Sequence, residues 1–118
     1  VYNAFYEFKD GKLTEIYKQD TRSIDEVISI AEESGRKVVF LGDGVPVYRE
    51  KIEGHENFII APQHCNMQKA STVAALAFNY ANEGKAVKCD DFAPFYLRKS
   101  QAERELEEKK KAMEEGKE

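Results

Sequence analysis

The stretch KVVFLGDGVPVYREKI, Lys37 to Ile52, decides the fold class. Its first part, Val38 to Leu41, is apolar and unalternating, with two valines at its head. That pattern fits a strand buried on both faces of a parallel sheet. Gly42-Asp43-Gly44 breaks the run, and Val45 to Ile52 reads as a short helix with Pro46 tolerated in its first turn. Strand, glycine turn and helix is also the arrangement by which many proteins hold a phosphate. A P-loop needs GxxxxGK[ST] and a dinucleotide site needs GxGxxG. The string Gly42-Asp43-Gly44-Val45-Pro46 meets neither pattern. Asp43 sets negative charge where a phosphate would lie, and Pro46 removes a backbone donor from the turn that holds anions. The expectation is a tight β-to-α connection with positive φ at a glycine. Gly42, Asp43 and Gly44 are thus a degenerate cofactor turn, and no cofactor is expected.

The flanking sequence extends this α/β reading. In VYNAFYEF, Tyr2, Ala4, Tyr6 and Phe8 alternate with Val1, Asn3, Phe5 and Glu7, as in a strand. Asp10-Gly11 is a hairpin signal, and LTEIYKQ is the return strand. Ser23 and Glu26 form a capping box for a helix whose Ile24, Val27, Ile28 and Ala31 share one face, a docking surface for a sheet. Gly35 is placed to end it. NFIIAP is a second short buried strand. ASTVAALAFNYANEG is the strongest helix, with Val73, Leu76, Ala77 and Tyr80 on one face, alanines for close packing and Gly84 at its stop. FAPFYLR is extended, because residues before proline avoid the helical region. The order predicts a mixed sheet with flanking helices.

Residues 99–118 change character. They carry six Lys or Arg against seven Asp or Glu, with few apolar residues. This reads as a charged helical tail with a thin apolar seam, following a domain over residues 1–98. The full 118-residue chain has a formal net charge of −4. Nucleic-acid grip needs clustered Lys and Arg, so strong autonomous binding is not expected. No apolar run approaches the roughly 20 residues that span a bilayer, so no membrane is expected and the cytoplasm is the expected compartment. The chain opens on Val rather than Met, straight into strand-like sequence, and reads as a piece of something longer.

Few residues suggest chemistry. Cys65, Cys89, His55 and His64 lack CxxC or HExxH spacing, so no metal site is expected. His64-Cys65 suggests a thiol pair, but neighbours in an extended segment point apart. Asp90-Asp91 suggests an acid–base or metal pair, against the ordinary reading of solvated carboxylates. Ser71 and Thr72 are accounted for by helix capping. No catalytic residue is expected.

Taken in order, VYNAFY, VVFLGDGVPVY, NFIIAPQHCNMQKASTVAALA and PFYLRKSQAEREL resemble the C-terminal half of the TsaB (YeaZ) family. Pro94, Tyr96, Leu97, Arg98, Gln101, Ala102 and Glu103 resemble the end of TsaB proteins from low-GC Gram-positive bacteria. The resemblance spans essentially the whole chain and rests on the ordered set rather than one motif. It implies an RNase H-like subdomain of the actin-like ASKHA architecture. It also implies a non-catalytic scaffold in tRNA N6-threonylcarbamoyladenosine (t6A) modification, supporting the catalytic paralogue TsaD, with the ATPase TsaE as a further partner. The alternatives are a glycoprotease-like hydrolase and a nucleotide-binding ASKHA switch.

The same resemblance implies an N-terminal subdomain and a central strand that this chain lacks. The expectation is that the chain binds the missing piece, self-associates through a sheet edge, or closes its sheet around the gap. Tyr96, Leu97, Arg98, Ala102 and Leu106 are the candidate interaction residues. If the tail packs on another body, Leu106→Asp weakens association measured by light scattering; an unchanged mass distribution identifies a solvated helix instead.

Overall fold

A computed structural model describes residues 1–97 and 101–115. The elements are β1 (Tyr2–Lys9), β2 (Lys12–Thr21), α1 (Ile24–Glu33), β3 (Val38–Phe40), α2 (Val45–Ile52), β4 (Phe58–Ile60), α3 (Ala70–Asn82) and α4 (Gln101–Glu115). Short 3-10 turns occupy Gln63–Cys65 and Cys89–Asp91. The class is mixed α/β. The chain divides into two compact units. One comprises Val1–Asn3 with Arg22–Phe92, the other Ala4–Thr21 with Ala93–Glu118.

In the first unit, β3 and β4 pair in parallel, with Val38 opposite Phe58, Val39 opposite Ile59 and Phe40 opposite Ile60. Ser23 caps α1 as its sequence requires. Its hydroxyl accepts from the Glu26 N–H at 3.2 Å, and the Glu26 carboxylate accepts from the Ser23 N–H at 2.7 Å. The helix buries Val27 and Ala31, the latter 1% exposed, and ends before Gly35 at φ 62°. Helix α2 buries Val45 and Ile52, the latter 2% exposed, and is kinked at Tyr48 (φ −109°, ψ 16°).

Side-chain contacts tie α1 and α2 together. Lys51 Nζ lies 2.7 Å from the Asp25 carboxylate, and His55 Nδ1 lies 2.8 Å from that of Glu32. The His55 ring also stacks on Phe58 at 4.5 Å, and Phe58 packs on Phe40 at 4.9 Å. The half-buried sheet face of Val38, Phe40, Phe58 and Ile60 thus meets the apolar side of these helices.

The other sheet face corrects the expectation of strands buried on both sides. Val39 is 52% and Leu41 63% exposed, and their neighbour Ile59 is exposed as well. The reason is alternation. Side chains of successive strand residues point to opposite faces, and α1 and α2 cover only one of them.

Helix α3 brings a second correction. Its alanines allow close packing, but it buries no residue, and even Phe78 is 68% exposed. Nor does one mixed sheet form. β1 pairs with β2 and β3 with β4 as separate two-stranded sheets, so closure of the sheet around a gap is not what the chain does.

In the second unit, the hairpin turns as its sequence predicts. Asp10 and Gly11 have φ 52° and 75°, the two positive values that a type I′ turn requires. Phe5 meets Tyr17 edge-on at 5.5 Å. Helix α4 exposes Leu106 and Met113.

Two substitutions grade these contributions by urea denaturation of the whole chain. Ser23→Ala, which removes the cap, lowers stability by about 1 kcal/mol. Ile52→Ala, which empties the most enclosed large side-chain site, lowers it by about 2–5 kcal/mol.

Candidate functional site

The β3–α2 turn is built as its sequence predicts, and a single glycine carries the positive φ. Gly42 has φ +120°, a conformation that side-chain-bearing residues rarely adopt. Its carbonyl accepts the Val45 N–H at 3.2 Å. Gly44 is the α2 N-cap in an ordinary right-handed conformation (φ −73°, ψ −22°) with no side-chain cap, and its carbonyl takes the N–H groups of Val47 and Tyr48. Asp43 between them is exposed. The helix start therefore has a carboxylate beside it and a proline in its first turn, an arrangement that opposes a bound anion.

A groove of about 420 Å³ adjoins this turn, wholly within the first unit. It is bounded by the start of β1 (Val1 to Asn3), by Phe40 to Gly44, and by apolar residues of α1 and α2 including Ile24, Val27 and Ile52. Asp43 is the one acidic or basic side chain in this lining. The start of β1 is held by backbone bonds. Arg22 N–H donates to the Val1 carbonyl at 3.0 Å, and Val1 N donates to the Arg22 carbonyl at 2.6 Å. The Arg22 guanidinium donates to Asn3 Oδ1 at 2.7 Å.

The remaining candidates lie elsewhere. His64 and Cys65 are both exposed and sit in or beside a 3-10 turn whose Cys65 N–H donates to the Pro62 carbonyl at 2.8 Å. The expected extended segment is absent there, because Pro62 directs the chain straight into the turn. Asn66 follows, buried, with Oδ1 lacking a hydrogen-bond partner. Asp90 and Asp91 are exposed on the Cys89–Asp91 turn. Ser71 and Thr72 do not cap α3. The helix begins one residue earlier, Lys69 takes the N-cap position without a side-chain bond, and both hydroxyl residues fall inside the first turn. Among the described residues, no group of three or more His, Cys, Asp or Glu is placed to hold a metal ion.

Tyr96 is exposed and Leu97 half-buried, both in the second unit. Ala102 and Leu106 lie on α4, with Leu106 exposed. Arg98 lies outside the described residues.

At the far end of α3, Lys85 Nζ lies 2.6 Å from a Glu83 carboxylate oxygen and 5.0 Å from the centre of the Tyr80 ring. The hydrogen bond to Glu83 and its charge hold the Lys85 ammonium above its usual pKa. The pair is exposed to solvent.

The groove and the orphaned Asn66 oxygen were not anticipated from sequence. Alternation showed that Val1 to Asn3 begin a strand, but not that this strand start borders the same space as Leu41. Asn66 carries no local signal beyond its place between a turn and a helix.

No family model, no curated protein and no solved structure matches this chain.

Among the described residues, no helix is long and apolar enough to cross a membrane.

The glycine geometry gives a paired test. Nothing lies within 4 Å of a Cβ built at either Gly42 or Gly44, so any cost of substitution there is conformational rather than steric. Gly42→Ala lowers stability by about 1 kcal/mol or more, whereas Gly44→Ala is neutral or slightly stabilising. Thermal melts of the two variants check this.

Proposed function

We propose that this chain is scaffold rather than catalyst, the C-terminal subdomain of a TsaB-type protein that supports TsaD in t6A modification. The observation that carries the reading is the exposure of α3. Its thirteen residues, ASTVAALAFNYAN, include no charged side chain, and every one is exposed. A helix with no charged residue, whose Val73, Leu76 and Tyr80 share one exposed apolar face, is suited to an interface. The bare face of β3–β4 adds Val39, Leu41 and Ile59 to the uncovered apolar surface. Surface of this kind marks a body that another polypeptide covers.

The finer fold assignment, an RNase H-like half of an ASKHA protein, belongs to the same proposal. It draws support from the order β-β-α-β-α-β-α and from the parallel β3–β4 pair joined through α2. On this reading the covering body is first the N-terminal subdomain of TsaB, with TsaD and TsaE joining the assembled protein.

The test mixes the chain with the separately expressed N-terminal subdomain of a TsaB protein. The expected result is a one-to-one complex by light scattering, which then restores t6A formation when TsaD and TsaE are added. Separate elution of the two pieces at micromolar concentration overturns the assignment. Peptidase activity of the chain alone would favour the hydrolase alternative, and thermal stabilisation by ATP would favour the nucleotide switch.

A further inference from the structure

Helix α3 buries no residue, and its two ends carry charges that oppose its own dipole. Lys69 takes the N-cap position without a side-chain bond, and Glu83 takes the C-cap. A cation beside the open N–H groups of a first turn, and an anion beside the last carbonyls, are both unfavourable. The first turn of α3 has no acidic residue and the last turn no basic one. Lys85 lies 2.6 Å from the Glu83 carboxylate and offsets that end in part.

Between these ends runs one seam. Lys69, Val73, Leu76, Tyr80 and Glu83 follow one another at intervals of four, three, four and three residues. That spacing keeps side chains in line along a pair of packed helices. All five are exposed. Phe78 falls on the opposite side of the helix.

The seam matches its own reverse. Leu76 is its midpoint, Val73 and Tyr80 flank it, and opposite charges close the two ends. Turned end for end about Leu76, it sets Lys69 against Glu83, Val73 against Tyr80 and Leu76 against itself. A two-fold interface requires this reciprocity, in which residue i meets j and j meets i. A parallel pairing would instead set Lys69 against Lys69 and Glu83 against Glu83.

We propose that α3 packs on α3 of a second copy of this chain, antiparallel about a two-fold axis at Leu76, with Lys69 of each copy against Glu83 of the other. The arrangement places the start of each helix beside the end of its neighbour. Each end charge then meets an opposite charge and a dipole end of opposite sign. A membrane surface fits less well, because α3 presents no basic face to anionic lipid.

The inference shares with the scaffold reading the exposure of α3, but it does not rest on the TsaB assignment. The seam uses one side of α3. It leaves Phe78 and the bare face of β3–β4 to the covering body, so a complex with the N-terminal subdomain keeps its one-to-one stoichiometry.

The test is sedimentation equilibrium of the full chain over about 1 to 500 μM, because a contact of one helix per copy lies at the small end of protein interfaces. A monomer–dimer equilibrium is expected. Lys69→Glu and Glu83→Lys each set like charges at both ends of the seam and are expected to weaken the dimer by about tenfold or more. The double variant restores unlike pairs and is expected to regain the dimer, which a parallel pairing would not do. Leu76→Asp sets like charges on the axis and is expected to abolish it. These side chains are exposed, so far-UV circular dichroism of each variant is expected to match the parent. A chain that stays monomeric throughout overturns the proposal. So does a dimer that tolerates Leu76→Asp, or a double variant no better than the single ones. A dimer that forms no complex with the TsaB N-terminal subdomain removes the family assignment and leaves the seam standing. A complex with that subdomain from a chain that is monomeric alone removes the seam and leaves the family assignment.

Discussion

The constraint on which the first unit depends is that a sheet of two three-residue strands has two faces, while α1 and α2 supply cover for one. Phe40 and Phe58 meet each other on that side, His55 stacks on Phe58, and Ala31 and Ile52 complete the most enclosed part of the core. The Lys51–Asp25 ion pair between the helices is exposed and contributes little by itself. Alignment of the helices rests on apolar burial, and the uncovered face of Val39, Leu41 and Ile59 follows from the same geometry. A further layer over that face would bury apolar surface worth roughly 25 cal/mol per Å².

Local structure was legible in the sequence where a local interaction decides it. Ser23 and Glu26 sit three residues apart and find each other without tertiary help. Asp10-Gly11 adopts the two positive φ values its hairpin needs, and Gly42 supplies the positive φ between β3 and α2. Lys69 as N-cap was missed because Ser71 and Thr72 are better capping residues by type, and the turn before α3 sets the helix start instead. His64 and Cys65 were misread as extended for a similar reason. A 3-10 turn after Pro62 leaves little mark on composition.

What the sequence could not convey is which apolar surfaces find partners within this chain. KVVFL and ASTVAALAFNYAN both have the composition of buried elements, and both retain exposed apolar residues. Composition records that a surface is suited to burial, not which polypeptide performs it. The groove is likewise a property of long-range placement, since Tyr2 and Leu41 are far apart in sequence and line the same space only in the folded chain. Of the candidate interaction residues, Tyr96 and Leu106 are exposed, and the glycine turn carries its positive φ at Gly42.

The two strand pairs also differ in how they can be reached during folding. The hairpin closes through Asp10 and Gly11 alone, a local event that takes about 1–10 μs in isolated hairpins. The parallel pair must close over the much longer crossover from Leu41 to Asn57, with α2 inside it. Contacts of greater sequence separation form more slowly. The longer crossover therefore makes β3–β4 pairing the slower of the two closures, and until it forms the edges of Val38 to Phe40 and Phe58 to Ile60 are open to misassociation.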